Sequence, residues 1–174
     1  MLLSEFDYTL PEELIAQTPA EKRQNSKMMV LNKKNHHIEH KNFYNIVDFL
    51  DKNCVLILNN TKVMPARLYG YKDTGAKIEV FLLKKYDNEN RWEVLIKPSK
   101  RVRPGTIIKI GEELSVEIVM PLPDDGKWVV KMLYEGDLLS ILHKVGNIPL
   151  PPYIERKMAT EDLRKLDFER YQTV

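Results

Sequence analysis

The sequence predicts a mixed α/β fold, rich in β-strands, in which a small antiparallel β-barrel is inserted into an incomplete α/β domain. Residues 68–134 show almost only strand patterns, separated by turn residues. Several short strands at such spacing are typical of a small barrel or sandwich. The preceding residues instead mix helical and strand patterns, and few residues follow Pro149. The flanking domain therefore has little chain left for its completion.

Domain boundaries follow from this change of pattern. We expect residues 1–66 to form the first part of the α/β domain and residues 67–149 to form the inserted antiparallel barrel. Residues 150–174 would begin the returning α/β domain, which is then truncated. Boundaries taken from one sequence hold to within a few residues.

The elements before the barrel rest on local patterns. Pro11 suits the first turn of a helix. Phe43, Ile46, Val47 and Leu50 recur at helical spacing, which indicates an amphipathic helix. The predicted elements are a helix over 10–16, strands over 27–32 and 37–40 around a polar turn, a helix over 42–50 and a buried strand over 55–58.

The barrel strands are predicted from short apolar segments bounded by turn residues. In one of them Ile78, Val80 and Leu82 alternate with other residues, so that one face of the strand is fully apolar. Trp92 and Trp128 lie on such strands, where a place in the core is favoured over an exposed stacking role. The six predicted strands cover 66–71, 77–84, 92–97, 106–110, 114–119 and 128–134.

Helical patterns return after the barrel. Asp137 is placed to cap a helix that runs to Val145, and Gly146 is placed to end it. The proline-rich residues 149–154 are expected to be extended. Residues 159–170 predict either a charged helix or a loosely ordered loop.

Composition points to a soluble, cytoplasmic protein. Of the 174 residues, 43% are hydrophobic and 30% are charged, as in ordinary globular domains. No run of about 18 apolar residues indicates a membrane span, and the acidic N-terminus does not resemble a signal peptide. The single cysteine, Cys54, fits a reducing compartment and is expected to be a small buried hydrophobic residue.

The most informative polar segment is residues 59–68, which follow the predicted buried strand at once. Asn60 and Thr61 offer hydrogen bonds there, while Lys62 and Arg67 offer positive charge. Polar groups at the end of a buried strand often form the rim of a binding site. A tight turn whose side chains cap the backbone is an equal alternative for Asn59 and Asn60.

A basic loop stands out in a chain whose net charge is only +2. Four cations fall within seven residues, around Pro98 and before Pro104. A solvated loop is the simpler interpretation, and a loop that contacts nucleic-acid phosphates is the sharper one. The four residues are Lys97, Lys100, Arg101 and Arg103.

Other candidate residues carry weaker signals. Arg23 could clamp a phosphate or a carboxylate, or it could pair with a nearby glutamate. Tyr153 and Arg156 could stack on and grip a nucleotide, although a rigid linker is favoured by the prolines before them. His36, His37 and His40 cluster in a predicted hairpin without further ligands at a recognised spacing, so no metal site is expected.

Together these segments resemble the S-adenosylmethionine:tRNA ribosyltransferase-isomerases of queuosine biosynthesis. The resemblance runs in the family's order over the whole chain, and its motifs are specific only in combination. The resembling segments are residues 6–19 (Phe6-Asp7-Tyr8 and Leu10 to Pro19), Arg23, residues 59–68, residues 97–101 (Lys97-Pro98-Ser99-Lys100-Arg101), Pro104-Gly105, residues 149–154 and residues 170–174.

The resemblance implies a transferase that moves the ribosyl group of S-adenosylmethionine onto 7-aminomethyl-7-deazaguanine at the tRNA wobble position, giving epoxyqueuosine. S-adenosylmethionine would be a co-substrate, with no permanently bound cofactor and no metal. The partner would be the anticodon arm of tRNA, and no membrane is involved. No general acid or base can be assigned, because none of the carboxylates has a special context.

The resemblance also implies a chain about twice as long. We therefore expect an N-terminal fragment that lacks the C-terminal half, is inactive alone and is prone to self-association through uncovered apolar surface. Two alternatives remain open: a non-catalytic RNA-binding β-barrel module, and one half of a split enzyme.

Overall fold

The computed structural model describes residues 2–124, 126–154, 156 and 160–172. These residues divide into two compact units. The first lies within residues 1–60 and 151–157, and the second lies within residues 61–150 and 158–173. The domain boundaries expected at residues 66 and 149 stay predictions. Ala159, with which the last predicted helix was expected to begin, lies outside the described residues.

The first unit contains a two-stranded antiparallel sheet. Strand β1 (Lys27–Asn32) pairs with strand β2 (His37–Asn42). The intervening turn places His36 in the left-handed region, with φ of 56°. The Asn35 carboxamide accepts a hydrogen bond from the His37 backbone N–H at 3.1 Å, as turn-forming asparagines often do. The predicted hairpin is therefore confirmed.

The predicted helices of the first unit are shorter and tighter than expected. The segment predicted over 10–16 forms a 3₁₀ helix only at Glu12–Leu14, and that predicted over 42–50 forms a 3₁₀ helix at Phe43–Phe49. Neither contains a buried residue. A short helix needs packing of its apolar face to become a stable α-helix, and here that packing is absent from the described residues. Further 3₁₀ turns occupy Leu3–Phe6 and Arg23–Asn25.

The prediction of a buried strand over residues 55–58 is wrong. These residues belong to no strand, and the exposed fractions of Val55 and Ile57 are 86% and 89%. Extended apolar residues form a strand only where another strand offers its backbone groups, and no described strand does so here. Cys54, expected to be buried at the start of that strand, is exposed for the same reason.

The second unit is built around a closed six-stranded barrel. Its strands are β3 (Arg67–Tyr71), β4 (Lys77–Lys85), β5 (Arg91–Lys97), β6 (Ile107–Ile110), β7 (Leu114–Pro121) and β8 (Lys127–Tyr134). All six strands predicted from the sequence are confirmed. Their order around the barrel is β3-β4-β5-β8-β7-β6, and every pairing is antiparallel.

Alternate residues of these strands fill the barrel with aliphatic side chains. Ile78 and Val80 of β4 are fully buried, and Leu82 is nearly so, as their alternation predicted. Trp92 and Trp128 pack partly buried against this core, which confirms their expected place. Further buried side chains of the barrel are Leu68, Val94, Ile96, Ile108, Ile110, Leu114, Val116, Ile118, Val130 and Met132.

Two local features let the sheet curve into a barrel. The register shifts between Leu82 and Lys84 in β4 and between Ile118 and Met120 in β7, and such bulges bend a strand. Gly70 in β3 allows a close approach of β6, because a Cβ atom there would lie 2.5 Å from the Lys109 carbonyl oxygen. A glycine inside a strand commonly marks such a contact.

Helix α1 (Leu138–Val145) packs its Ile141 and Leu142 side chains on the barrel core. The Asp137 carboxylate accepts a hydrogen bond from the Ser140 backbone N–H at 2.9 Å, so the predicted cap is confirmed. Gly146 ends the helix, but its φ of −83° is not left-handed. Glycine is needed because a Cβ atom there would clash with the Pro65 backbone.

Helix α2 (Glu161–Arg170) settles the choice between a charged helix and a loose loop in favour of the helix. The Thr160 hydroxyl accepts a hydrogen bond from the Leu163 backbone N–H, which caps the first turn. The Arg164 guanidinium donates to the Gly146 carbonyl at 3.0 Å, and Phe168 meets the His143 ring edge-on. These contacts fasten α2 to the end of α1.

The proline-rich residues 149–154 are not extended throughout. The Ile154 backbone N–H donates to the Pro151 carbonyl at 3.0 Å, so residues 151–154 form a turn. The fixed φ of proline suits turn positions as well as extended chain. Among the described residues, no helix is long and apolar enough to cross a membrane.

Candidate functional site

The segment 59–68 changes from exposed to buried along the chain. Asn60, Thr61 and Lys62 are exposed, whereas Pro65 and Ala66 are buried. Asn60 belongs to the first unit and the following residues belong to the second. Thr61 and Lys62 are therefore exposed polar residues a few positions before strand β3, and their place at the rim of a site stays a prediction.

Gln172 fixes the middle of this segment. Its carboxamide oxygen accepts a hydrogen bond from the Val63 backbone N–H at 2.7 Å, and its amide nitrogen donates to the Val63 carbonyl at 3.3 Å. The side chain thus imitates the pairing of a neighbouring strand. Two motif segments that are 109 residues apart meet in this way. Sequence reasoning missed this residue, although it lies within the last resembling segment.

Arg67 lies on the outer surface of the barrel, and its guanidinium already has partners within the fold. Its Nε is 3.6 Å from the Glu79 carboxylate, and its Nη1 donates to the Leu150 carbonyl at 3.5 Å. Its guanidinium also stands 5.4 Å from the centre of the Phe81 ring. These contacts neutralise and orient the charge, which gives Arg67 a structural role in the fold.

Glu79 is shared by two partners. Besides pairing with Arg67, it lies opposite Tyr69 in the β3–β4 pairing, and burial together with the Glu79 charge raises the pKa of Tyr69 above its ordinary value. Lys97 lies directly opposite Glu79 on β5. The structure therefore brings two candidates, Arg67 and Lys97, to either side of one carboxylate.

The basic loop is held by two hydrogen bonds from neighbouring side chains. The Trp128 indole N–H donates to the Ser99 hydroxyl at 3.1 Å, and the Lys72 ammonium donates to the Arg101 carbonyl at 2.7 Å. A 3₁₀ turn over Ser99–Arg101 displays the intervening residues. The four cations predicted to touch phosphates, Lys97, Lys100, Arg101 and Arg103, are all exposed.

The remaining candidates lie in the first unit. The Gln17 amide donates to the Tyr153 carbonyl at 3.0 Å, and the Arg156 guanidinium donates to the Gln17 carbonyl at 3.0 Å. Gln17 therefore joins two predicted site residues, and sequence reasoning did not single it out within its motif. Arg23 is half-buried in the 3₁₀ turn Arg23–Asn25.

The histidines near the hairpin do not form a metal centre in the described part of the chain. His36 lies in the turn, and His37 is 3.6 Å from Glu39. No group of three or more His, Cys, Asp or Glu side chains converges among the described residues.

Comparison with known proteins assigns the chain to a family. A family model described as "Queuosine biosynthesis protein" matches residues 3–174. The chain is 47% identical over 174 residues to an S-adenosylmethionine:tRNA ribosyltransferase-isomerase of Fusobacterium nucleatum, and 49% identical over 175 residues to one of Macrococcus caseolyticus. These alignments cover 99% and 100% of this chain but 47% and 49% of the relatives. The chain thus spans about half the length of the curated relatives it matches.

A solved structure gives a further match. The crystal structure of an S-adenosylmethionine tRNA ribosyltransferase from Thermotoga maritima is 37% identical, with a TM-score of 0.40. The match covers 93% of this chain and 54% of that one. With the family model matching nearly all residues and both curated relatives sharing one name, the chain belongs to the queuosine biosynthesis family of S-adenosylmethionine:tRNA ribosyltransferase-isomerases.

Proposed function

We propose that this chain is part of an enzyme that transfers the ribosyl group of S-adenosylmethionine to 7-aminomethyl-7-deazaguanine at the wobble position of tRNA, giving epoxyqueuosine. The observation that carries the proposal is the family match over residues 3–174 together with the identity to two ribosyltransferase-isomerases. The proposed tRNA substrate favours a cytoplasmic location for this activity.

The reaction makes three demands on the protein. A base must remove a proton from the sugar, a donor must assist the departure of adenine, and a basic surface must hold the anticodon arm. The exposed basic loop offers the third. Trp128 holds its Ser99 side chain and Lys72 holds its Arg101 carbonyl, so its charged groups can be presented to phosphates without ordering the loop first.

Within the second unit, we assign Thr61 to orienting a ligand, S-adenosylmethionine or the modified base, by hydrogen bonding, and Lys62 and Arg67 to stabilising negative charge. Within the first unit, Asn60 is likewise a candidate for hydrogen bonding to a ligand. Arg23, Tyr153 and Arg156 are the other binding candidates of that unit. Gln172 would position Lys62 through the adjacent Val63 backbone. No residue is assigned as the general base.

We further propose that the 174 residues alone do not complete the reaction, because the curated relatives named for it are about twice as long. The test uses a fusion of this chain to the part of the Fusobacterium nucleatum relative that the chain does not match. Adenine release from S-adenosylmethionine is measured with tRNA that carries 7-aminomethyl-7-deazaguanine at the wobble position. The same tRNA with ordinary guanine serves as the substrate control.

We expect adenine release by the fusion and none by the chain alone. A Lys62→Ala fusion should lose most of the activity, whereas Lys33→Ala, which removes an equally exposed lysine of the β1–β2 turn, should not. A folded fusion that binds tRNA without releasing adenine would favour the alternative of a non-catalytic RNA-binding module. Release by the 174-residue chain itself would overturn the proposed dependence on a second part.

A further inference from the structure

The outer face of the barrel presents an exposed aromatic residue between two lysines. Tyr71, at the end of β3, lies opposite Lys77 on β4 and opposite Lys109 on β6. Side chains of directly opposed residues lie on the same face of a sheet. The exposed fraction of Tyr71 is 55%, and both lysines are exposed. Positive charge therefore stands on both sides of an accessible ring.

The neighbouring Tyr69 is less available. The Lys77 ammonium stands 4.8 Å from the centre of the Tyr69 ring, and Glu79 lies opposite Tyr69 on β4. A cation at this distance occupies one face of the ring. Tyr69 thus fixes the position of Lys77 beside Tyr71, and Tyr71 remains the ring that a ligand can reach.

The basic loop is fastened to the same strand end. Lys72 follows Tyr71 directly, and its ammonium donates to the Arg101 carbonyl. Lys72 therefore links the end of strand β3, where Tyr71 lies, to the backbone of the basic loop. Glu79, an acidic residue opposite Tyr69, is paired with Arg67. Lys77 and Lys109 therefore remain as the cations directly opposite the exposed Tyr71 ring.

We propose that the surface formed by Tyr69, Tyr71, Lys77 and Lys109, here named the tyrosine face, binds an unpaired segment of RNA. A base stacks on the Tyr71 ring, and the flanking phosphates contact Lys77 and Lys109. The proposal rests on the proposed tRNA-directed function and adds the mode of RNA contact. The carboxylates of an acidic peptide could pair with the lysines, but such a peptide has no aromatic group to stack on the Tyr71 ring. Unpaired RNA offers both, because bases and phosphates alternate along the strand.

The test measures binding of a labelled single-stranded RNA of about ten nucleotides, a usual site size for small β-barrels, by fluorescence anisotropy. Tyr71→Ala should weaken binding by about five- to 150-fold, the range that base–aromatic stacking gives. Tyr71→Phe keeps the ring and should bind like the wild type. Tyr86→Ala removes an exposed tyrosine of similar accessibility at the other end of β4 and is the matched control.

Charge is tested separately from stacking. Lys77→Ala and Lys109→Ala should each reduce the slope of log Kd against log salt by about one phosphate contact, whereas Tyr71→Ala should leave that slope unchanged. Lys131 is an exposed lysine on β8, and Lys131→Ala should change neither the binding affinity nor the salt slope. An RNA of the same length that lacks bases should bind the wild type more weakly and should not distinguish it from Tyr71→Ala.

Equal binding of Tyr71→Ala and the wild type would overturn the proposal, as would preference for duplex RNA or for an acidic peptide over the single strand. The outcome is separable from that of the enzyme assay. Single-strand binding that depends on Tyr71 would support the tyrosine face even if the fusion released no adenine, and an active fusion indifferent to Tyr71→Ala in RNA binding would refute the tyrosine face alone.

Discussion

Tyr71 and Lys109 lie opposite each other where strand β3 meets strand β6, and this pair closes the barrel. The opposing strands β3 and β4, by contrast, are paired along the whole length of β3. The junction of β3 and β6, here named the seam, is therefore the most weakly paired junction of the barrel. Its stability depends on how closely β3 and β6 can approach each other. Gly70, beside Tyr71, determines that approach.

Gly70→Ala should destabilise the barrel. The added Cβ atom would lie 2.5 Å from the Lys109 carbonyl oxygen and 2.7 Å from the Ile108 Cγ2 atom. Backbone on one side and a fully buried side chain on the other leave little room for relaxation. We expect a loss of about 1–3 kcal/mol in the free energy of unfolding, as for other overpacked sites, measured by urea denaturation.

Gly136→Ala provides the control for this prediction. Gly136 has φ of 88°, and an added Cβ atom would meet no atom within 4 Å. Its substitution costs only the strain of a left-handed alanine, about 1–2 kcal/mol. Only Gly70→Ala should also weaken the junction of β3 and β6, seen as faster hydrogen exchange of amides in those two strands. Unchanged exchange at the seam would contradict the proposed cause.

The basic loop should govern the electrostatic part of RNA binding. Replacing Lys97, Lys100, Arg101 and Arg103 by alanine together removes four exposed cations. We expect weaker binding to RNA of any sequence and a salt slope lower by up to about four contacts, because phosphate contacts carry no sequence information. Titration of labelled tRNA at several salt concentrations measures both quantities.

Lys33 and Lys34 supply the matched charge control for the loop. Both are exposed in the β1–β2 turn of the first unit. Their replacement by alanine lowers the net charge without touching the loop, so the salt slope should stay near that of the wild type. If it falls as much per lysine removed as in the loop variant, the binding depends on net charge and not on this surface.

The barrel was predictable because its strands carry their own pattern. Ile78, Val80 and Leu82 must alternate to fill an interior, and each strand in the barrel has a partner within the same unit. Val55 to Leu58 carry an equally apolar pattern but are exposed, since burial depends on a partner that no local pattern reveals. Likewise, the pairing of Gln172 with Val63 joins residues 109 apart, and spacing alone cannot predict such a contact.

Asp137 should make the stability of α1 depend on pH. Hydrogen bonds from the Ser140 hydroxyl and backbone N–H lower the pKa of Asp137 below its ordinary value of 3.8. Because the folded state prefers the ionised carboxylate, the contribution is fully present above pH 3.8 and is lost as the pH falls through the lower pKa of the folded state.

The corresponding measurement compares the wild type with Asp137→Asn and Asp137→Ala by urea denaturation across this pH range. Asparagine also caps helices but does not titrate. The advantage of the wild type over Asp137→Ala should shrink towards low pH, while that of Asp137→Asn should stay constant. A wild-type advantage that is independent of pH would show that the charge of the cap contributes nothing.

Arg67 allows a structural role and a substrate-binding role to be separated. Its contacts with Glu79, the Phe81 ring and the Leu150 carbonyl predict that Arg67→Leu costs about 1–3 kcal/mol, partly because the half-buried Glu79 loses its ion pair with Arg67. Adding Glu79→Gln should recover part of that loss, since the unpaired charge is removed. Lys165→Met, which breaks the exposed pair with Glu161, should change stability by less than about 0.5 kcal/mol.

If the stabilised double variant, in the fusion described above, keeps the wild-type KM for S-adenosylmethionine and tRNA, Arg67 serves the fold alone. If stability returns but KM or kcat does not, the guanidinium also acts on a substrate, as proposed for the segment in which it lies.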